Sequence, residues 1–443
     1  MLSREDNELL CRIEGDAPMG RMLRHHWVPA CMSEELPEPG GKPKRLRLFG
    51  EDLVAFRGDD GAVGVMEELC PHRRASLALG RNENCTLRCL YHGWAIDREG
   101  NVTDMPSEPP GSAFRSKVRH TAYPAVESGG FVWAYMGDRA TMPEFQPPPW
   151  ADKPDNSIAI AKMHEEANWV QSVEGSIDSA HSSTLHSSSI RSDATVTGST
   201  DRGGADRFLL VRPSVDKAPR IQVQHTQYGF RYAAIRTPIR NADTTDYVRV
   251  TVYIAPFVTL IPPHDTWRSA QVFVPIDDHN TMFYFVAWSD RILLETERWR
   301  RDNHARPGID LDENFRKLRN RGNDYLQNRL LMKLGDFTGI EGIPNQDMAM
   351  QETMGSIVDR SRENLGASDV AIVRFRQMML NGVRAFMEGA PALGAEEPRL
   401  PPARIRSFEG IVEKSASWRD FAVSEEEKAG FRDLGAVLRR RAG

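Results

Sequence analysis

Two cysteines and two histidines stand in a pair of short segments in the N-terminal part of the chain. The first is the C-x-H segment Cys70–His72, and sixteen residues later comes the C-x2-H segment Cys89–His92. Four thiolate and imidazole ligands can hold either a tetrahedral zinc ion or an iron–sulfur cluster. Zinc sites usually pair cysteine with cysteine and histidine with histidine, whereas each segment here supplies one of each. This spacing favours an asymmetric two-iron cluster, with two thiolates on one iron and two imidazoles on the other.

A cluster with this ligand set predicts electron transfer. Its reduction potential lies at roughly −150 to +300 mV, against about −400 mV for an all-cysteine ferredoxin, which suits relay to an oxidising metal site. We therefore expect Cys70, His72, Cys89 and His92 to hold a [2Fe-2S] cluster. A zinc-stabilised binding module is the alternative, and a colourless purified protein would indicate it.

A second group of ligand-type residues follows at Glu174, Asp178, His181 and His186. The spacing i, i+4, i+7 of the first three predicts that they share one helix face and that Asp178 contacts His181. His186 does not fit that helix, because the intervening residues turn it about 140° away from His181. We expect the helix to break between the histidines so that both bind one metal. Two histidines and one carboxylate form the facial triad of non-heme Fe(II) oxygenases.

The carboxylate that completes this triad cannot be chosen from the residues alone. The acids available in the relevant stretch are Asp336, Glu341, Asp347, Glu352 and Asp359.

Together the two motifs resemble those of the Rieske non-heme iron ring-hydroxylating oxygenases. Gly93-Trp94 ends the second cluster segment as in that family, and residues 174–186 are similar to its iron motif E-x3-D-x2-H-x4-H. The segments 337–340 and 346–352 resemble the phthalate dioxygenase-like subgroup.

The resemblance implies roles for three acids. Asp347 is the carboxylate ligand of the mononuclear iron, and Asp178 bridges a cluster histidine of one subunit and an iron-bound histidine of the next. Bridging is physically reasonable, since a metal-bound imidazole keeps an N–H that needs an acceptor. Glu174 is a further catalytic candidate, with a structural hydrogen-bonding role as the alternative.

The chain predicts an α+β protein with three parts. Residues 1–22 predict an amphipathic helix, and residues 23–142, with short alternating runs, predict an all-β Rieske [2Fe-2S] domain. Residues 143–443 begin with a proline-rich linker and then combine strand runs with helical patterns, which indicates an antiparallel sheet with helices. The resemblance implies a curved sheet that grips a helix, and this domain would hold the mononuclear Fe(II).

Bulk properties exclude several classes of protein. A net charge of −5 over 443 residues gives no basic footprint for nucleic acid, and no apolar run suits a membrane span. Acidic residues near the start argue against a signal peptide, so we expect a cytoplasmic protein. Five cysteines make no disulfide framework.

The leading hypothesis is the oxygenase component of a dioxygenase that uses O2 on an aromatic carboxylate, phthalate-like or a substituted benzoate. No G-x-G-x-x-G motif follows a strand, so a separate NAD(P)H-dependent reductase is expected to supply electrons. An anionic ring needs a fork-shaped donor, and Arg207 is our first choice, with Ser179 as a hydroxyl donor. The other arginines of this stretch cannot be ranked: Arg202, Arg212, Arg220, Arg231, Arg236 and Arg240.

Two alternative functions stay open. Relatives with the same iron apparatus imply an aryl-ether monooxygenase or O-demethylase. A non-catalytic Rieske electron carrier is the alternative of another class, although a carrier would not need the set His181, His186 and Asp347. The family resemblance also implies a homo-oligomer of three or six subunits.

Overall fold

The computed structural model describes residues 2–202, 208–264, 266–395, 400–425 and 427–428. The chain forms two compact units. The smaller unit comprises Ile13–Ala151 with Ile276–Asp278, and the larger unit comprises Met1–Arg12, Asp152–Pro275 and His279–Gly443. The units therefore divide after Arg12 and after Ala151, near the boundaries predicted at residues 22 and 142.

The N-terminal segment forms two helices, so the prediction of a single helix over residues 1–22 is wrong. Helix α1 spans Arg4–Cys11, and Ser3 caps it by accepting a hydrogen bond from the backbone N–H of Asp6. Helix α2 spans Pro18–Leu23. Between them Gly15 adopts a φ of 58°, which a right-handed helix cannot contain, and Pro18 suits only the first turn of a new helix.

The smaller unit is an all-β fold, as predicted. Its strands are β1 (Trp27–Met32), β2 (Lys44–Leu48), β3 (Glu51–Arg57), β4 (Val63–Glu67), β5 (Arg81–Glu83), β6 (Thr86–Arg88), β7 (Ala95–Asp97), β8 (Val102–Asp104), β9 (Ala122–Tyr123), β10 (Ala125–Ser128) and β11 (Phe131–Tyr135). They form three antiparallel sheets in the orders β1-β11-β10, β2-β3-β4-β9 and β5-β6-β7-β8. Cys70, Cys89 and Trp94 belong to a buried apolar cluster with side chains of β3, β4, β6 and β7.

The larger unit is built on a long antiparallel sheet. Its strands are β12 (Ile158–Glu165), β13 (Ile190–Ser192), β14 (Thr200–Asp201), β15 (Leu210–Arg212), β16 (Arg220–Thr226), β17 (Gly229–Arg236), β18 (Thr245–Ile254), β19 (Val258–Ile261), β20 (Arg268–Pro275), β21 (Thr281–Trp288) and β22 (Phe408–Glu413). The main sheet has the order β12-β21-β20-β19-β18-β17-β16, and β22 pairs with β18. Strands β13, β15 and β14 form a separate small sheet.

Helices accompany this sheet. They are α3 (Trp169–Ser176), α4 (Thr296–Asp302), α5 (Arg329–Lys333), α6 (Ile343–Thr353) and α7 (Val370–Met387). The long helix α7 packs against β16, and its Phe375 ring makes edge-to-face contacts with Trp169 of α3 and Tyr253 of β18. A helix held on an antiparallel sheet confirms the predicted α+β class. None of the helices in the described part of the chain combines the length and hydropathy needed to cross a bilayer.

Strand β18 sorts its side chains onto two faces, because successive residues of a strand point in opposite directions. Val248 and Val250 pack with Trp418 in an apolar cluster on one face. Arg249 and Thr251 line a cavity on the other face. This cavity contains the side chains described next.

Candidate functional site

The two cysteine–histidine segments of the smaller unit fold into matching loops. In the first, Cys70 N–H donates to the carbonyl of Ala75, and Arg74 N–H donates back to the carbonyl of Cys70. In the second, Cys89 N–H donates to the carbonyl of Trp94, and Gly93 N–H donates back to the carbonyl of Cys89. The fifth residue of each loop is left-handed, with φ of 61° at Arg74 and 74° at Gly93. Each loop therefore closes on its own backbone.

The loops bring the four predicted cluster residues together. Cys70 and Cys89 are buried, and the rings of His72 and His92 lie 4.4 Å apart. Trp94 stacks on His72 at 4.5 Å with an angle of 7° between the planes. Burial raises the pKa of the Cys70 thiol to about 11, so this sulfur ionises only beside a strong cation such as iron. Two inner thiols and two outer imidazoles fit a [2Fe-2S] cluster with two ligands on each iron.

The iron-binding segment of the larger unit departs from the helix predicted for it. Helix α3 ends at Ser176, so Asp178 and His181 lie beyond it and do not share a helix face with Glu174. The Asp178 side chain ends the helical run locally, because its Oδ1 accepts from the backbone N–H of Ala180 and competes with helical bonding. The break thus precedes both histidines instead of separating them.

Three ligand atoms converge where a metal would bind. His186 Nε2 lies 3.0 Å from Asp347 Oδ1, and His181 Nε2 lies 3.5 Å from the same oxygen. The two Nε2 atoms are 3.2 Å apart. Ligands held about 2.1 Å from one ion at right angles would lie about 3 Å apart, so His181, His186 and Asp347 fit a facial triad.

Each histidine is oriented through its other nitrogen. His186 Nδ1 lies 2.7 Å from Oε1 of Gln346, and His181 Nδ1 lies 3.4 Å from Oδ2 of Asp178. Metal-bound imidazoles commonly donate the second N–H to such an oxygen, which fixes the ring and directs Nε2 at the metal. The predicted contact of Asp178 with His181 is thus present.

The four other candidate acids have different partners. Glu352 accepts from the hydroxyl of Tyr325, and Glu341 pairs with Arg319. Asp336 and Asp359 accept backbone N–H groups of their own turns. Among the five candidates, only Asp347 approaches both histidines.

Glu174 lies in a buried ion cluster rather than at the triad. Its carboxylate pairs with Arg360 at 2.9 Å and with Arg376 at 2.6 Å. Burial alone would raise the pKa of Glu174, but the two guanidinium groups outweigh it and lower the pKa. Arg360 also donates to Asn7 of α1, so the cluster joins the N-terminal helix to α3 and α7. The geometry favours the structural alternative for Glu174.

The triad opens into a cavity of about 140 Å³. Asp178 and Ser179 line it beside the triad, and Phe273, Phe283 and Phe285 contribute aromatic wall. A flat apolar ring suits such walls, and the space beside the three ligands is where it would react.

Two arginines provide positive charge in the cavity wall. Arg212 and Arg249 line the cavity and are each 6% exposed, and Arg236 is buried nearby at 2%. Arg249 has a counter-charge in Glu409, whose Oε1 lies 3.6 Å from Nε of the arginine. Burial and then repulsion from Arg249 lower the pKa of Arg212 to about 9. The described residues offer no hydrogen-bond partner to Nε of Arg212, which leaves a donor for an anionic ligand.

Sequence reasoning placed the substrate residues only in part. Ser179 lines the cavity, and its carbonyl accepts from Arg236 at 2.6 Å. Arg207 lies outside the described residues. Arg212 was among the unranked arginines, and Arg249 was overlooked, because an arginine between Val248 and Val250 is typical of the solvent-facing side of a strand.

Comparisons with known proteins identify the families to which the two parts of the chain are similar. Residues 26–124 match the Rieske [2Fe-2S] domain family, and residues 134–437 match the family described as LigXa C-terminal domain like. The phthalate 4,5-dioxygenase oxygenase subunit of Pseudomonas putida is 56% identical over 422 residues and covers 95% of each chain. The 3-chlorobenzoate-3,4-dioxygenase oxygenase subunit of Comamonas testosteroni is 37% identical, covering 94% of this chain and 97% of its own.

Solved structures share the fold. NdmB of Pseudomonas putida CBB5 gives a TM-score of 0.59 at 17% identity, covering 89% of this chain and 97% of that one. Since both halves match in order and the curated relatives align nearly end to end, the chain belongs to the Rieske non-heme iron oxygenases, as an oxygenase component that carries a [2Fe-2S] cluster and a mononuclear iron.

Proposed function

We propose that this oxygenase component adds dioxygen to an aromatic ring that bears two carboxylates, a substrate of the phthalate class, and forms a cis-dihydrodiol. The observation that carries the proposal is the charge of the cavity wall. Arg212 and Arg249 line the cavity and Arg236 is buried beside Ser179, while Glu409 pairs with Arg249 at 3.6 Å, so the wall offers guanidinium groups to an anionic ring. A dianionic ring would neutralise them, and the name of the Pseudomonas putida relative agrees with that choice.

Guanidinium groups suit this task better than ammonium groups. The planar fork of an arginine matches a carboxylate with two parallel hydrogen bonds, so it fixes the direction of the ring as well as its charge. Arg212 already donates to Ser182 Oγ at 3.0 Å, which holds the guanidinium group in place before substrate arrives. The phenylalanine walls then keep water from the ring face.

His181, His186 and Asp347 would hold the mononuclear iron, whose chemistry is the reductive activation of dioxygen. Asp178 and Gln346 orient the two imidazoles, and Arg212 and Arg249 position the ring over the triad. Electrons come from a separate protein partner, as in other oxygenase components of this kind.

We further propose that the protein works in the cytoplasm as a homo-oligomer of three or six subunits. The family resemblance supports this, since Asp178 would join the cluster of one subunit to the iron of the next. The half-buried carboxylate of Asp178, 24% exposed on the cavity wall, is compatible with a second partner besides His181.

The substrate class is tested by binding, which needs no reductase. Equilibrium dialysis should show that phthalate binds the holoenzyme more tightly than benzoate, and benzoate more tightly than benzamide. Arg249→Ala should weaken phthalate binding on the order of a hundredfold to a thousandfold, because a buried carboxylate that loses its partner commonly costs 3 to 5 kcal/mol. Arg249→Lys should recover little, since an ammonium lacks the two-pronged contact.

The matched control is Arg240→Ala, which removes an exposed arginine from the same stretch and should leave binding unchanged. Equal affinity for phthalate and its diamide would contradict the proposal. The reaction type is tested separately with 18O2 and dithionite-reduced protein: two labelled atoms in the product indicate dioxygenation, and one indicates the aryl-ether monooxygenase alternative.

A further inference from the structure

One acid in the cavity has no role in the chemistry described so far. Glu165 is the last residue of β12, where it pairs with Thr281 of β21. Its side chain lines the same cavity as His181, His186 and Asp347, and the residue is 1% exposed.

The carboxyl group of Glu165 is only half satisfied. Its Oε2 accepts a hydrogen bond of 2.8 Å from the hydroxyl of Ser172, a buried residue of α3. Its Oε1 is buried and finds no hydrogen-bond partner among the described residues. A buried, unpaired carboxylate is costly, whereas the neutral acid carries a proton that the free oxygen can donate.

Two glutamates of the larger unit show how guanidinium groups stabilise a carboxylate away from solvent. Glu174 pairs with Arg360 and Arg376, and Glu409 pairs with Arg249. Both keep a lowered pKa because the guanidinium groups outweigh burial. Glu165 has the neutral Ser172 as its hydrogen-bond partner, just as Glu352 and Glu427 have the hydroxyls of Tyr325 and Tyr228, but of these three acids Glu165 alone lines the cavity.

Burial, followed by repulsion from Glu352 and Asp347, raises the pKa of Glu165 to about 8. The acid is therefore mostly protonated at pH 7 and loses its proton as the pH rises through about 8. The other titratable or charged groups that line the cavity are Asp178, His181, His186, Arg212, Tyr232, Arg249, His264 and Asp347. Among them, burial lowers the pKa of His264 to about 3, so this imidazole stores no proton at neutral pH.

We propose that Glu165 is a catalytic acid that delivers a proton into the oxygenation cavity. Formation of a cis-dihydrodiol consumes one O2, two electrons and two protons. The O–O bond and one π bond of the ring break, two C–O bonds form on the ring, and each oxygen gains a hydrogen. The electrons come from the cluster and the iron, which the partner protein recharges. One proton leaves the O–H of Glu165 for an oxygen atom that comes from O2, the second proton comes from solvent, and solvent later reprotonates the carboxylate.

This inference rests on the proposed function only for the identity of the ring, because monooxygenation also consumes two protons for each O2. General acid catalysis by a positioned side chain typically contributes 10²–10⁴-fold. Glu165→Gln keeps the shape and a hydrogen-bond donor but cannot release a proton, so it isolates that contribution. The matched control is Glu166→Gln, the same substitution at the next residue, whose side chain is exposed.

The first measurement is infrared spectroscopy of the holoenzyme without substrate. We expect the C=O stretch of a protonated carboxylic acid at pH 7 that fades as the pH rises through about 8 and is lost in Glu165→Gln but kept in Glu166→Gln. The second measurement is product formation with reduced protein and O2. We expect Glu165→Gln to bind phthalate normally, keep the cluster spectrum and iron, and form product on the order of a hundredfold more slowly. Glu165→Asp should recover part of the loss.

Two results would overturn the proposal. One is an infrared spectrum at pH 7 that is identical in Glu165→Gln and the parent, and the other is product formation by Glu165→Gln at the parent rate. Failure of phthalate to bind or react would contradict the proposed substrate and leave the infrared result to decide the protonation of Glu165.

Discussion

The cluster loops of the smaller unit close on their own backbones, whereas the iron-binding side chains of the larger unit meet only across the fold. Each loop from Cys70 to Ala75 and from Cys89 to Trp94 is held by two hydrogen bonds between its own residues. At the iron site, His186 contacts Gln346, a residue 160 positions away in sequence. Because each loop closes locally, the cluster site can be predicted from the spacing of its residues. The iron site needs contacts between distant residues, so it depends on the fold of the whole domain.

The largest expected effect comes from removing the distant ligand. Asp347→Ala should abolish product formation and lower iron content, because two imidazoles alone bind a metal more weakly than the full triad. The visible spectrum of the cluster should not change, since none of its four candidate ligands is touched. The measurement is product yield with iron analysis. Asp359→Ala, an exposed candidate acid, is the control, and full activity in Asp347→Ala would remove Asp347 from the iron site.

The proposed bridging role of Asp178 is tested next. Asp178→Asn should keep both metals yet nearly stop electron transfer between them, since an amide cannot accept hydrogen bonds from two imidazole N–H groups as a carboxylate does. Rapid mixing of reduced protein with substrate and O2 would then leave the cluster reduced. Reoxidation at the parent rate would show that Asp178 serves only to orient His181.

A third test concerns the ion cluster of Glu174, Arg360 and Arg376, which joins α1, α3 and α7. Glu174→Gln leaves Arg360 and Arg376 buried without a full counter-charge, which typically costs about 3 to 5 kcal/mol. The midpoint of urea unfolding of the larger unit should fall accordingly, and Glu363→Gln, which removes a more exposed partner of Arg376, should cost less. An unchanged midpoint would remove the structural role assigned to Glu174.

The same acid predicts a pH dependence of stability. The pKa of Glu174 is lowered in the folded protein, below its ordinary value of 4.5. Its contribution is therefore present above pH 4.5 and is lost as the pH falls through the lowered folded pKa. The parent and Glu174→Gln should therefore differ most in stability near neutral pH and least at low pH, and urea unfolding at a series of pH values measures the difference; an equal difference at every pH would contradict it.

The smallest expected effects come from substitutions at the left-handed residue of each cluster loop. Arg74→Gly places a glycine at a position with left-handed backbone conformation, which glycine adopts without strain. We therefore expect a change in stability within about 1 kcal/mol. Gly93→Ala should lower the stability more. The alanine would have to adopt a positive φ, and its Cβ would lie 2.7 Å from Cγ of Pro106. Cluster absorbance during a thermal ramp measures both. Equal loss of the cluster in the two variants would contradict the difference inferred between the loops.

Local features of the chain were sufficient to predict the main strands and to single out the cysteines and histidines that the fold brings together. Spacing within a few residues determines whether a loop can point two ligands at one metal, and alternation along a strand needs no distant partner. Helix ends were less predictable. The spacing from Glu174 to His181 suits a helix, but Asp178 uses its side chain to bond the backbone beyond Ser176, and such competition depends on the surrounding packing.

Tertiary structure decided the rest. Five acids were chemically equal as the third ligand, and only the packing of α6 against α3 brings Asp347 rather than Glu352 to the histidines. Arg249 and Glu165 look like ordinary charged residues of strands, and their chemistry comes from burial in one cavity with few counter-charges. The type of a residue determines which proton or charge it can carry. Whether it carries that proton or charge depends on solvent exclusion and on neighbouring charges, and both are properties of the fold.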